Sequence, residues 1–397
     1  MLFASPSRAE CSLRRRVSGV GLTTARKLKS FALASGEQSG VSRLLLNSRW
    51  RQNRLLILCY HGCSLADEHL WDGALYMSPD RFEDRMKILR DLDCNILPLG
   101  KALELMAAGA LPPRSVVLTF DDGNYDFYAK VFPILQKFGF PATVYFPTAY
   151  SEFQRPVFNV SVNYLLWRAQ SQKLRWPQVL GSSKIRLSDH AQRDQTALDI
   201  IRYSKACRLS IEEKDDMLVE LNSRLNGGLD EIRARRMFYS MTPAEVRKVV
   251  AAGIDMQLHT HNHVVSRYHG EFQLEIEENR QHVVALGGEG SHFCYPNGFC
   301  LDAFPGWLSR EGIASATTCV PGIASKDTDP YRLPRLCDSM FLSDTAFSTW
   351  VSGLASMLPS RSLKPNLIDM VPEWMPAVRA SAPVPGLLVA RSGRFSD

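Results

Sequence analysis

Two carboxylates stand side by side at Asp121 and Asp122, after the apolar run Ser115–Phe120 and just before Gly123. Adjacent carboxylates at a strand end are costly to bury unless a cation or a proton separates their roles. One can then hold a metal while the other acts as a base, and Gly123 lets the backbone turn sharply beside them. Taken alone, the three residues read more readily as a solvated turn, which is common. Further along, His259, His261 and His263 follow the apolar run Ile254–Leu258. His259 and His263 are four apart, which on a helical turn puts both imidazoles on one side, within reach of one ion. His261 points elsewhere and reads as a surface or supporting histidine. Together with the Asp pair, these residues suggest a two-histidine, one-carboxylate site with open positions. A third stretch, Phe293–Gly298, ends in Pro-Asn-Gly. A tight loop there frees backbone N–H groups to face an oxyanion, with Tyr295 and Asn297 as candidates. An ordinary strand-to-turn exit is the alternative.

All three stretches follow short apolar runs, so the elements before them must be strands that present loops to one shared face. Leu55–Tyr60, Val116–Phe120, Ala142–Phe146, Ile254–Leu258, His292–Tyr295, Ile313–Thr317 and Tyr331–Cys337 read as buried strands. Helical patterns at Asp80–Leu92, Phe127–Phe138, Phe272–Leu286 and Phe304–Glu311 alternate with them. Thr242-Pro243-Ala244-Glu245 adds a helix start, with Gly253 as its stop. Such alternation implies an α/β fold, a parallel sheet or barrel with helices outside. Residues 148–240 break the rhythm and read as a mostly helical insertion, with a capping box at Ser210 and Glu213. A terminal helix is expected over Phe341–Leu354, followed from Pro359 by a Pro-, Ser- and Arg-rich tail.

The chain has 397 residues, 45% hydrophobic and 22% charged, which excludes a wholly disordered, coiled-coil or collagen-like protein. No apolar run reaches the ~18 residues of a spanning helix. Residues 1–54 hold 11 Lys/Arg against 2 Asp/Glu, leaving 36 basic and 39 acidic residues in the remainder. The body is therefore near neutral, which argues against nucleic acid as its ligand. The basic segment 1–53 has Leu22, Ala25, Leu28, Phe31 and Ala32 on one helical face. It reads as a helix packed on the body or a frayed tail, with docking on an anionic membrane surface as a further option. Arg26, Lys27 and Lys29 interrupt any signal-like apolar core, so a cytoplasmic, bacterial chain is expected, with membrane association through the basic segment as an option. Nine cysteines without a CxxC pair suggest reduced thiols rather than a disulfide framework.

The sequence resembles the polysaccharide deacetylase family, also called the NodB-homology domain or carbohydrate esterase family 4, over residues 54–340. Thr119-Phe120-Asp121-Asp122-Gly123 is similar to its first motif and His259-Thr260-x-x-His263 to its second. Cys59-Tyr60-His61 and Asp329-Pro330-Tyr331-Arg332-Leu333-Pro334-Arg335 resemble exopolysaccharide-type members. The resemblance implies a distorted (β/α) barrel of about seven strands. It implies a divalent metal, most often zinc, on Asp122, His259 and His263, with Asp121 as general base. The implied reaction is hydrolysis of an N-acetyl group on an amino sugar of a glycan; the basic N-terminus would suit a lipid-linked form of that glycan. The backbone N–H of Asn297, which aligns with the third motif's tyrosine, would help hold the oxyanion.

Two departures stand out. Cys294 occupies the position where the third motif often has an arginine that orients the aspartate, and Asn297 replaces its tyrosine. Leu333-Pro334-Arg335 stands where the family's Leu-x-His commonly supplies the acid. His61, at the end of the first strand, becomes the candidate acid, or else a barrel-mouth residue bonded to the carboxylates. The departures also keep open a glycan- or partner-binding barrel without turnover, and a deacylase or deformylase acting on another amide.

Overall fold

The computed structural model describes residues 35–36 and 39–358. Its centre is a parallel sheet whose strands are β1 (Leu56–Tyr60), β2 (Asn95–Ile96), β3 (Ser115–Phe120), β4 (Thr143–Phe146), β5 (Asp255–Leu258), β6 (His292–Cys294), β7 (Ser315–Thr317) and β8 (Leu336–Cys337). Seven of them run in the order β7-β6-β5-β4-β3-β1-β8, with β2 added beside the start of β3. Every residue of β1 and β3 is buried. This explains their unbroken apolar runs, because a parallel strand covered on both faces has no solvent side to mark with polar residues.

The sheet curls into a distorted (β/α) barrel. Its seam is bridged by one stretch of chain: Leu333 pairs in parallel with Thr317 of β7, and four residues later Cys337 pairs with Cys59 of β1. Helices cover the outside, including α1 (Pro79–Asp91), α2 (Leu99–Ala107) and α3 (Phe132–Phe138). Phe82, Met86 and Leu89 of α1 face the sheet. A single π turn, Phe127–Val131, precedes α3 where sequence suggests plain helix. Pro133 lacks the N–H that would continue an ordinary α ladder there.

The insertion holds α4 (Phe158–Arg168), α5 (His190–Ala206), α6 (Ile211–Arg224) and α7 (Leu229–Arg235) around its own apolar core, with Leu165, Trp176, Ile200 and Leu221 buried. It also contains an antiparallel ribbon, Lys173–Trp176 with Gly181–Arg186, which the helical expectation missed. Only Leu174 and Trp176 alternate inward on the first strand, and the second is largely exposed, so neither carries a readable period. The capping boxes of α6 and of α8 (Pro243–Ala251) form as expected. The barrel then continues through α9 (His269–Ala285) and α10 (Phe304–Arg310) to the terminal α11 (Asp344–Ser352).

Residues preceding the expected boundary at 54 join the body. Arg51 is fully buried and donates to the carbonyls of Val351, Arg54 and Ser115. The amphipathic face Leu22–Ala32 and the tail from Pro359 lie outside the described residues, as does the membrane contact read from the former. Among the described residues no helix is long and apolar enough to cross a membrane.

Candidate active site

Strand register assembles the site. Tyr60 pairs with Phe120, so the next residues, His61 and Asp121, leave neighbouring strands side by side. Phe146 and Phe293 both pair with Leu258, so His259 emerges next to Cys294. The first motif's turn is clamped from outside, because Tyr125 N–H donates to Tyr239 O and Met241 N–H to Gly123 O. Asp122 lies at φ 70°, Thr260 at 61°, His263 at 57° and Asn297 at 57°. Non-glycine residues in the left-handed region are uncommon and cluster at functional loops, here in all three motifs.

Asp122, His259 and His263 converge as the spacing suggests. Their ligating atoms lie within 4.8 Å of one another. Asp122 Oδ1 is 3.2 Å from His263 Nε2 and 3.5 Å from His259 Nε2. His259 Nδ1 donates to the Cys294 carbonyl at 2.9 Å, which leaves its Nε2 lone pair facing the carboxylate. A proton or a metal cation must lie between that nitrogen and the carboxylate oxygen, and the donor set of two ring nitrogens and one carboxylate fits a divalent metal such as zinc. Asn279 of α9 fixes the backbone: its Oδ1 accepts from His259 N–H at 2.8 Å, and its Nδ2 donates to Phe146 O and Thr148 Oγ1.

His261 stays out of this cluster, as its position in the motif suggests. Its Nδ1 meets Thr148 Oγ1 at 2.9 Å and its ring lies 5.0 Å from His282. Burial pushes it down to about 4.

Asp121 is buried behind Asp122 and held on both oxygens. Arg335 Nη1 donates to Oδ1 and Nη2 to Oδ2, each at 2.7 Å. Burial would raise this carboxyl, but the Arg335 guanidinium overrides it and holds the group well below the usual carboxylate range. Arg335 is the residue that sequence reasoning missed. Its guanidinium also lies 3.1 Å from Cys294 Sγ, in the space that the small side chain at position 294 leaves open. The arginine absent from the third motif is thus supplied by the residue just before the last strand, β8. A signal was present: an arginine flanked by Leu333 and Leu336, both buried, must find a buried carboxylate or go unpaired.

His61 Nε2 lies 3.7 Å from Asp121 Oδ2, with its side chain 23% exposed, so it borders the site and meets solvent. Tyr295 is a correction. Its hydroxyl donates to Tyr331 O at 3.0 Å and its backbone N–H to Thr317 O, so neither group is free to meet an oxyanion. Its ring packs with Phe293 and Phe304 instead. Asn297 is exposed in a turn closed by Gly298 N–H on Tyr295 O.

The polysaccharide deacetylase family model matches residues 108–201, which include the first motif. The poly-beta-1,6-N-acetyl-D-glucosamine N-deacetylase of Escherichia coli K12 is 32% identical over 100 residues, 25% of this chain and 15% of that protein. The protein of the same name from Staphylococcus aureus N315 is 35% identical over 114 residues, 26% of this chain and 39% of that one. The matches thus span well under half the length of either relative. In fold, the chain is similar to the Streptococcus pyogenes deacetylase PplD solved in complex with acetate, with a TM-score of 0.50 at 18% identity, covering 77% of this chain and 99% of that one. The chain is thus similar to polysaccharide deacetylases in the matched stretch and in its distorted barrel fold, with the first motif at the end of β3 and the second at the end of β5.

Proposed function

We propose that this chain is a metal-dependent hydrolase that removes N-acetyl groups from the amino sugars of a glycan. The observation that carries the reading is the convergence of Asp122, His259 and His263 beside an ionised, arginine-held Asp121. The names of the curated relatives support an N-acetylated amino-sugar glycan as the substrate.

Asp122, His259 and His263 would hold the ion, for which zinc is the proposed identity. When bound, it would supply Lewis acidity toward the acetyl carbonyl and make an attacking water easier to deprotonate. Asp121 takes the proton from that water, and Arg335 keeps it ionised and oriented to do so. The C–N bond breaks as the nitrogen gains a proton, for which His61, 3.7 Å from Asp121, is the proposed donor. Asn297 contributes a polar turn at the rim, where its N–H is proposed to face the developing negative charge.

A barrel without turnover is suggested by the missing third-motif arginine and the missing Leu-x-His histidine; Arg335 answers the first, and His61 is the proposed answer to the second. The test is acetate release from N-acetylglucosamine oligomers by wild type, Asp121→Asn and His259→Ala, before and after chelation and zinc return. Release by the wild type alone, lost on chelation and restored by zinc, is the expected result. Release unaffected by His259→Ala, or none from any N-acetylated glycan, would overturn the reading.

A further inference from the structure

The thiol of Cys59 has no part in the proposed mechanism, yet the barrel sets it beside Asp121. Cys59 lies in β1 and His61 just past its end, two residues on, so their side chains leave the same face of the sheet. Tyr60 between them turns to the other face, where its ring packs on Phe82 and Phe120. The Tyr60 carbonyl accepts the Asp121 N–H at 2.9 Å, which brings that carboxylate level with both neighbours. Asp121 Oδ2 lies 3.6 Å from Cys59 Sγ and 3.7 Å from His61 Nε2. The ligating atoms of the three residues all lie within 4.8 Å of one another. In a tetrahedral zinc site, bonds of about 2.3 Å to sulfur and about 2.0–2.1 Å to nitrogen or oxygen separate the donor atoms by about 3.3–3.5 Å. Both measured separations are already close to that. Cys59 and Asp121 are buried, while the His61 side chain is 23% exposed, so an ion has a way in past His61.

We propose that Cys59, His61 and Asp121 form a second metal site, for a thiophilic divalent cation such as zinc or cadmium, whose filling shuts the proposed active site. It shares no ligand with Asp122, His259 and His263. The sulfur is the ligand that distinguishes it. Burial favours the thiol over the thiolate, so the entering ion displaces a proton: the S–H bond breaks, a sulfur–metal bond forms, and the proton leaves to solvent. Arg335 Nη2 donates to the same Asp121 Oδ2 at 2.7 Å, which leaves that oxygen's second lone pair for the ion. A guanidinium so close opposes a cation, so this site is the weaker of the two and fills at excess metal. Once filled, it holds both the proposed base, Asp121, and the proposed donor, His61. This effect on catalysis rests on the deacetylase reading; the site itself does not.

The full chain holding one equivalent of zinc would be titrated with cadmium in a non-thiol reductant, following the ultraviolet charge-transfer band of a cadmium–thiolate bond. Nitrogen and oxygen ligands give no such band, so exchange of the first ion is silent. Acetate release would be compared in parallel between one equivalent of zinc and an excess. The expected result is a band from one further equivalent of cadmium, and a loss of about 100-fold in turnover at excess zinc, the scale of losing an acid–base group. Cys59→Ala removes one equivalent's worth of the band and makes turnover indifferent to excess zinc. His61→Gln, a half-buried position apart from the core, weakens the second ion by at least about 10-fold, what even a ligand's supporting partner is worth. No band in the wild type, a band that Cys59→Ala leaves unchanged, undiminished affinity in His61→Gln, or a filled site with unchanged turnover would overturn the proposal. The band is read whether or not acetate is released. Failure of the deacetylase reading would therefore show separately, as a protein inactive at every zinc loading that still binds the second ion.

Discussion

Arg335 grips both oxygens of Asp121 at 2.7 Å, from the far end of the chain and through the gap left by Cys294. A bidentate guanidinium–carboxylate pair fixes orientation as well as charge. The ion pair is fully buried, so removing one partner strands the other charge. Arg335→Lys, with a single rotatable donor group in place of the fork, keeps the charge and loses the geometry. We expect it to lower kcat by about 100-fold, while metal content stays at the wild-type level. The pH profile separates positioning from simple damage. Arg335 holds the Asp121 carboxyl below its usual range, so weakening the pair raises it. The base is then protonated at higher pH, and the acid limb of kcat/KM moves upward. An acid limb that does not move would count against the positioning role.

Asn279 holds the backbone of His259 while bonding Phe146 O and Thr148 Oγ1, and it is fully buried. Partners that orient metal-ligating residues typically influence affinity by about 10- to 100-fold. Asn279→Ala should weaken zinc binding on that scale and destabilise the fold by about 1–3 kcal/mol, because buried partners are left unsatisfied. A zinc titration and a thermal melt of the metal-free protein read the two effects separately. Unchanged affinity with a lower Tm would make Asn279 purely structural.

His61 borders Asp121 but is not one of the three converging residues Asp122, His259 and His263. His61→Gln should therefore bind zinc normally at those residues. If His61 gives the proton to the leaving amine, kcat falls by about 100- to 10,000-fold, with KM little changed. A wild-type kcat in His61→Gln would return the acid role to another group.

His292 makes stability depend on pH apart from any catalytic role. Its ring is buried against β7, with Nδ1 at 2.9 Å from Ser315 Oγ, and burial pushes it down to about 4. A histidine depressed in the folded state favours the neutral form. Its contribution is therefore present above the unfolded value of about 6.5 and is lost as pH falls from there toward 4. The wild-type Tm should drop across this window by more than that of His292→Asn, by several degrees if each kcal/mol is worth a few degrees in a chain of this size. Equal drops would place the acid sensitivity elsewhere.

Much of this protein is legible without coordinates, because the informative signals are local. Val116–Phe120 followed by Asp121-Asp122-Gly123, and Ile254–Leu258 followed by His259-x-x-x-His263, each join a buried strand to its own functional turn within a dozen residues. The capping boxes at Ser210 and Thr242 mark helix starts by the same short-range chemistry. Tertiary structure alone decided what depends on register and closure. His61 meets Asp121 because Tyr60 pairs with Phe120. His259 finds the Cys294 carbonyl because Leu258 pairs with Phe293. Arg335 reaches Asp121 because the seam turns the last strand back against the first, where the small Cys294 leaves room. Tyr295, a candidate by motif position, is drawn away by the Tyr331 carbonyl, a partner that only folding brings near. Local propensity sets which residues stand at a strand's end, while the pairing of distant strands and the volume left by one small side chain set which of them touch.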